Sequence, residues 1–319
     1  MKTEVNASSS DTVKPDSLQA WLLAVRPRTL SASATPVLVA CAYAFACHSF
    51  RIVPAVLCFV FAILAQIASN LANDYFDYKS GSDSTETRIG PARAVASGWI
   101  SPSRMRAALV GVVAVACLFG LGLVFYGGWQ MIVVGVACVV ALLAYSAGPF
   151  PASRHGLGDV FVLLFYGYVP VFFTFYLVSG YAAEQVFSSP TAFKVFLLAS
   201  AVAFPSVNIL VLNNFRDYYN DKAEGKRTTV VMFGRRFALG FYLVNGIIAL
   251  LCVLLFFRPW SEYSFSLLVF LGYLFAHVGT LRGIARTAKG PALNRYLGQT
   301  SRNLMILAVF ICGTLIVYA

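Results

Sequence analysis

Charge is what this sequence has least of. Asp, Glu, Lys and Arg make up 12% of its 319 residues, where a soluble domain carries about 25%. That shortage excludes an ordinary water-exposed globule, and it equally excludes a disordered chain, which is charged and poor in apolar residues. Histidine occurs three times. The seven cysteines, Cys41, Cys47, Cys58, Cys117, Cys138, Cys252 and Cys312, all stand inside apolar runs and none has metal-ligand spacing. A zinc or iron–sulfur centre built on Cys and His is therefore excluded. The cysteines read as small buried hydrophobes and not as disulfide partners.

What is present is apolar length. Hydrophobic residues make up 59% of the chain, the mean hydropathy is +0.75, and many apolar runs approach the roughly 20 residues needed to cross a bilayer. The expectation is an all-α membrane protein with nine spans, at about 29–49, 52–73, 105–126, 129–147, 158–180, 192–214, 237–257, 264–282 and 303–319. Residues 1–18 are polar and lack an apolar core, so they are expected to form a disordered cytoplasmic tail and not a signal peptide. Residues 19–319 then form one transmembrane domain. Trp21 to Leu30 reads as a short interfacial helix leading into the membrane.

The 24 Lys and Arg outnumber the 13 Asp and Glu, leaving a formal charge of +11. An excess of this kind can mark nucleic-acid binding, but here the basic residues lie in short connections between apolar runs. The positive-inside bias accounts for that placement, so the expected surroundings are membrane lipids and no nucleic acid. With the N-terminus in the cytoplasm, the connections after even-numbered spans carry Lys79, Arg88, Arg93, Arg104 and Arg106, then Arg154, then Arg216, Lys222, Lys226, Arg227, Arg235 and Arg236, then Arg282, Arg286, Lys289, Arg295 and Arg302. The opposite connections carry only Arg51, Lys194 and Arg258.

The few acids are concentrated. Asp74, Asp77, Asp83 and Glu86 follow one long apolar run, and Asp217, Asp221 and Glu224 follow another. Both runs end in Asn-x-x-x-Asp, at Asn73 with Asp77 and at Asn213 with Asp217, the latter continued by Asp221. Positions i and i+4 share a helix face. An apolar helix ending in a stripe of oxygen ligands, made twice, is costly unless something cationic sits between the stripes. A solvated helix end is the plain reading of either cluster alone; two matched clusters make it a poor one. Asp74 lies about 100° round the helix from Asn73, so it can point elsewhere.

Carboxylates and amides are hard oxygen ligands suited to Mg²⁺, which shares its shell with phosphate oxygens and water. Lys79, Arg88, Arg93, Lys226 and Arg227 nearby suit the remaining charge of a metal-bound phosphate. An allylic diphosphate fits further: its lipid tail would lie between helices, with its head at the cytoplasmic mouth. Metal and basic residues would stabilise the departing diphosphate, and Tyr75, Tyr78, Tyr145, Phe215 and Tyr218 are candidate aromatic walls for an allylic cation. His155 reads as a loop residue, and His48 and His277 as packing or interfacial residues.

These residues resemble the UbiA superfamily of intramembrane prenyltransferases, over most of the chain from Trp21 onward. The resemblance is carried by Arg26-Pro27-Arg28-Thr29-Leu30; Asn70 to Asp83 with Arg88-Ile89-Gly90-Pro91-Ala92-Arg93; Tyr145-Ser146-Ala147-Gly148-Pro149 with Gly156-Leu157-Gly158-Asp159; and Asn213 to Asp221 with Gly225-Lys226. It implies nine helices around a central cavity and a metal set of Asn73, Asp77, Asp83, Asn213, Asp217 and Asp221. It further implies that Arg154 joins Lys79, Arg88, Arg93 and Lys226 on the diphosphate. Gly81 stands where other branches have an Asp, and Asp83 follows two residues later. That departure resembles the branch that joins a polyprenyl diphosphate to 1,4-dihydroxy-2-naphthoate, in the bacterial inner membrane, with loss of diphosphate and CO₂. Asp74, Asp217 and Tyr145 are candidates for the base that activates the ring, and Asp77 belongs with them in the reacting centre.

Two rival readings make different demands. The same chemistry on another acceptor, such as 4-hydroxybenzoate, would sit poorly with the Asp83 spacing. A cation-coupled transporter would need charged residues near the bilayer midplane, whereas these cluster at one face among basic residues.

Overall fold

The computed structural model describes residues 13–81, 89–188, 190–257, 264–287, 289–317 and 319, the side chains of 264–269 excepted. Its regular elements among those residues are all helical. They are α1 (Leu18–Val25), α2 (Pro27–Ala46), α3 (Ile52–Lys79), α4 (Pro102–Gly127), α5 (Gln130–Ser146), α6 (Gly158–Leu163), α7 (Val169–Ser179), α8 (Ala183–Phe187), α9 (Thr191–Ala223), α10 (Thr229–Phe257), α11 (Ser264–Arg286) and α12 (Asn294–Val317). A π-helical stretch, Leu164–Tyr168, joins α6 to α7 as one continuous span.

Seven helices among the described residues are long and apolar enough to cross a membrane, with α6 and α7 counted together. Gln130–Ser146 is apolar but only 17 residues long, and Ser264–Arg286 is a helix of 23 residues. Each of the nine expected spans falls on one of these helices, and seven meet the standard of length and apolarity. The chain is an integral membrane protein.

Two helices outrun the bilayer. Helices α3 and α9 have 28 and 33 residues, against the roughly 20 that the hydrocarbon requires. Their surplus turns carry the two Asn-x-x-x-Asp stripes. Helix α9 is also the hub: 78% of its apolar stretch is buried in the molecule, against 17% for α4. Ala199, Ala201, Val202 and Ala203 supply small side chains that let neighbouring helices approach it closely.

Helices α9 to α12 are further pinned by a polar network inside the apolar layer. The Asn208 amide donates to the Tyr242 carbonyl (3.0 Å), Asn245 donates to Asn208 Oδ1 (2.9 Å), and the Asn303 amide donates to Thr280 Oγ1 (3.0 Å). His277 Nε2 meets the same Tyr242 carbonyl at 3.0 Å and the His277 ring stacks on Tyr242 at 4.6 Å. Because a carbonyl only accepts, Nε2 carries the proton. His277 is thus a packing residue, as expected.

The connections sort onto two faces. On one, Arg227 N donates to Arg154 O (2.8 Å) and Asn294 Nδ2 donates to Ile89 O (3.2 Å). On the other, Arg51 N donates to Val178 O (3.0 Å), and Ser49 Oγ donates to Ser179 O. The four basic connections therefore meet at the end that carries the acidic stripes. Within residues 13–18, Val13 is buried, Asp16 N donates to Trp99 O (2.8 Å) and Ser17 caps α1, while Lys14, Pro15 and Leu18 are exposed.

Candidate functional site at the mouth of the cavity

The last turns of α3 aim four polar side chains in different directions. Asn70 turns inward, its amide donating to Val25 O (2.7 Å) and Thr29 Oγ1 (3.0 Å), and so ties α3 to the corner between α1 and α2. Asn73 lines the central cavity, and its Oδ1 accepts from Ser146 Oγ at the end of α5. Asp77 accepts from Arg93 Nη2 at 2.7 Å. Asp74 is 1% exposed, and its two oxygens accept from Ala94 N (2.9 Å) and Val95 N (3.0 Å). The expectation of Asp74 as a base is corrected: its oxygens hold the loop after α3, because its 100° offset turns it away from the cavity.

The second stripe repeats the spelling with other partners. Asn213 lines the cavity. Asp217 is gripped by the fork of Arg216, with Nε at 2.8 Å from Oδ1 and Nη2 at 2.6 Å from Oδ2. Asp221 pairs with Lys226 Nζ at 3.2 Å, and Lys226 also reaches Glu224 at 3.0 Å. Burial pulls the Lys226 ammonium down, but Asp221, Glu224 and Asp77 outweigh it and hold the pKa above the usual lysine value. Lys226 therefore feels carboxylates from both stripes.

Between the stripes opens a cavity of about 290 Å³. Asn73, Asn213, Tyr145 and Arg26 stand at its polar end, and Cys58, Leu123, Met131 and Leu177 at its far end. Asn73 and Cys58 both line it along α3, so it runs about 22 Å down the helix axis at 1.5 Å per residue. Its walls are aromatic: Phe61, Phe161, Phe165, Tyr166 and Phe173. The π-helical stretch contributes Phe165 and Tyr166; an extra residue in a helical turn re-aims side chains, and such stretches recur at functional sites. Arg26 is the one charged side chain among its described lining residues.

The expected aromatic walls are mostly elsewhere. Tyr145 lines the cavity. Tyr78 is exposed, Phe215 is buried beneath the Arg235 guanidinium at 4.0 Å, and Tyr75 and Tyr218 pack in satellite clusters. Lys79 is exposed on the last turn of α3. Arg154 occupies a short 3₁₀ turn joined to Arg227 through its backbone. Asp83 and Arg88 lie outside the described residues.

Sequence reasoning gave no site role to Arg26, Gln66, Arg216 and Asn294. Arg26 carried a signal as a charge at the start of an apolar run; it adopts a left-handed backbone (φ 54°) between α1 and α2. Gln66 is 6% exposed, lines the cavity and donates to Asn70 Oδ1 at 3.2 Å. Arg216 was legible too, as a charge beside Asp217 at the end of an apolar run.

The donor set consists of carboxylate and amide oxygens, the chemistry that Mg²⁺ takes. Among the described residues no three His, Cys, Asp or Glu converge into a ready-made metal cage. Arg93, Arg216 and Lys226 now sit against the carboxylates, which marks these positions as electrostatically suited to positive charge.

The UbiA prenyltransferase family model matches residues 33–318. A 1,4-dihydroxy-2-naphthoate octaprenyltransferase of Escherichia coli is 33% identical over 307 residues, covering 92% of this chain and 94% of its own. The human UbiA prenyltransferase domain-containing protein 1 is 25% identical over 302 residues, covering 91% of this chain and 81% of its own. Among solved structures, a UbiA homolog from Aeropyrum pernix superposes with a TM-score of 0.67 at 14% identity, covering 88% of this chain and 97% of its own. One from Archaeoglobus fulgidus, bound to DMAPP and Mg²⁺, gives 0.63 at 15% identity, covering 94% of this chain and all of its own. The helical fold is the same in all of these structures.

Proposed function

The chain belongs to the UbiA prenyltransferase family, and on that premise we propose that it transfers a polyprenyl group from polyprenyl diphosphate to 1,4-dihydroxy-2-naphthoate, releasing diphosphate and CO₂ and giving demethylmenaquinol. The observation that carries this reading is the pairing of two carboxylate stripes with one aromatic-walled cavity, together with the 33% identity to a naphthoate octaprenyltransferase.

In this reading Asn73, Asp77, Asn213, Asp217 and Asp221 hold Mg²⁺, with Asp83 as a further proposed ligand. Bound there, Mg²⁺ neutralises charge on the departing diphosphate. Lys79, Arg88, Arg93, Arg154 and Lys226 bind the diphosphate oxygens, as cations bind phosphate generally. The allylic C–O bond breaks and its electron pair leaves with the diphosphate. A ring carbon of the naphthoate forms the new C–C bond, and the carboxylate departs as CO₂, returning an electron pair to the ring. Phe161, Phe165 and Tyr166 face the cationic carbon with their π-electrons, and the aromatic walls exclude water that would intercept it. Of the three groups expected as a base, Tyr145 is the one that lines the cavity. We assign its hydroxyl to a hydrogen bond that orients the acceptor hydroxyl.

A cation-coupled transporter fits less well, because the cavity interior below Arg26 has no charged lining residue among those described. We further propose a bacterial inner-membrane location with the N-terminus and both stripes on the cytoplasmic face, following the basic connections. The test is purified protein in liposomes with a polyprenyl diphosphate and Mg²⁺, offered either 1,4-dihydroxy-2-naphthoate or 4-hydroxybenzoate. Mass spectrometry should find a decarboxylated prenylated product from the naphthoate alone, lost with EDTA. Product from the benzoate alone would move the chain to another branch of the family.

A further inference from the structure

The two stripes are joined by a chain of polar contacts that neither stripe contains. Asn294, the first residue of α12, donates from Nδ2 to Ile89 O at 3.2 Å and accepts on Oδ1 from Arg216 Nη1 at 2.9 Å. The rest of the Arg216 fork holds both oxygens of Asp217, at 2.8 and 2.6 Å. Arg216 is 4% exposed. The loop passes directly over it: a Cβ placed on Gly90 would lie 2.7 Å from Arg216 Nη2. A few residues on, the same loop gives Arg93 to Asp77 at 2.7 Å and its Ala94 and Val95 amides to Asp74. Loop 89–95 thus touches Asp217 through Asn294 and Arg216, and Asp77 through Arg93.

We propose that Asn294 is a positioning residue that sets the spacing and orientation of the two carboxylate stripes, acting through Arg216 and loop 89–95, for a divalent cation bridged to a diphosphate. This rests on the reading of the stripes as a cation–diphosphate site. A carboxylate offers about four lone-pair sites. The Arg216 fork takes two of those on Asp217, fixes the plane of the carboxylate, and leaves the others for a cation. Asn294 fixes the fork in turn: its carbonyl oxygen accepts the one guanidinium nitrogen that Asp217 does not engage. Its amide, on the Ile89 carbonyl, locks the first-stripe loop to the same anchor. Groups that orient a metal ligand in this way typically contribute 10- to 100-fold in metal affinity.

The experiment is Mn²⁺ binding to the full chain in detergent, with and without inorganic pyrophosphate, followed by electron paramagnetic resonance, with thermal unfolding measured in parallel. Asn294→Ala removes both contacts. It should weaken pyrophosphate-dependent Mn²⁺ binding by roughly 10- to 100-fold. Asn294→Asp keeps an acceptor for Arg216 while losing the donor to Ile89, and should recover part of that loss. Gly90→Ala removes no hydrogen-bonding group but pushes on the guanidinium, and should weaken binding as Asn294→Ala does. It carries the test alone if Asn294→Ala does not fold. Wild-type Mn²⁺ affinity in both Gly90→Ala and Asn294→Ala, or lowered thermal stability with unchanged affinity, would overturn the proposal. Failure of the wild-type chain itself to bind Mn²⁺ with pyrophosphate would instead strike the reading of the stripes.

Discussion

The two stripes are spelled alike and built differently. In the second, the charges that balance the carboxylates are local: Arg216 is adjacent to Asp217, and Lys226 lies five residues beyond Asp221. In the first, Arg93 reaches Asp77 from 16 residues further along the chain. It is delivered there by a loop that Asp74 holds by two backbone amides. One stripe is set largely by its own helix. The other depends on a loop finding its place, so the same Asn-x-x-x-Asp should respond differently to damage nearby.

The largest effects test what the stripes share. Asp77→Ala and Asp217→Ala should each abolish turnover, by roughly 10²-fold or more as for loss of other electrostatic groups at a reacting centre, while circular dichroism in detergent stays helical. Full activity in either would break the equivalence of the two stripes.

The next effect separates them. Asp74→Asn puts an amide where one backbone N–H donates, at a site 1% exposed. It should cost about 1–3 kcal/mol, read as a lower thermal midpoint, and should loosen Arg93 with the loop. No counterpart is expected at the second stripe, where Asn214 replaces Asp74 in the repeat and the counter-charge is the neighbouring residue. An unchanged midpoint and unchanged activity would show that the loop needs no such anchor.

A smaller effect concerns the cavity between the stripes. Tyr145→Phe keeps the ring and removes the hydroxyl, so kcat should fall while KM for the polyprenyl diphosphate changes little. Equal loss in both parameters would make Tyr145 a wall and not a hydrogen-bonding partner of the acceptor.

The smallest effect is one of pH. Lys226 has a raised pKa, so the stability from its pairs is fully present below the ordinary lysine value of 10.5 and is lost only as pH rises through the higher folded value. Thermal stability of the wild type relative to Lys226→Met should be flat from pH 6 to about 9, inside the charged range of any lysine, and should narrow only in alkali. A difference that collapsed near neutrality would mean that the ammonium is not held by Asp221 and Glu224.

Much was readable from the sequence because it follows from local rules. Apolar runs near 20 residues long define spans whatever they pack against, since the bilayer demands internal backbone hydrogen bonding. The positive-inside bias gathers the basic connections at one face, and there Arg227 meets Arg154 and Asn294 meets Ile89. The repeated Asn-x-x-x-Asp singled out Asn73 and Asn213, and both line the cavity. The offset that made Asp74 doubtful as a base is the one that turns it to the loop.

The rest was decided by tertiary structure. Most spans carry several Phe and Tyr, and composition does not tell which rings face lipid, core or cavity. Phe165 and Tyr166 were chosen by the π-helical stretch and by the close approach of Gly167 to Ala203 on α9, not by their neighbours in sequence. The tie between the stripes is likewise long-range: Asn294 lies 78 residues from Arg216 and 205 from Ile89. The sequence alone determined that the acids and amides gather at the ends of two apolar helices, because periodicity and charge act within a helix. Only the packed bundle decided how the two stripes are tied together through Asn294 and which rings line the cavity, because both depend on the positions of helices far apart in the chain.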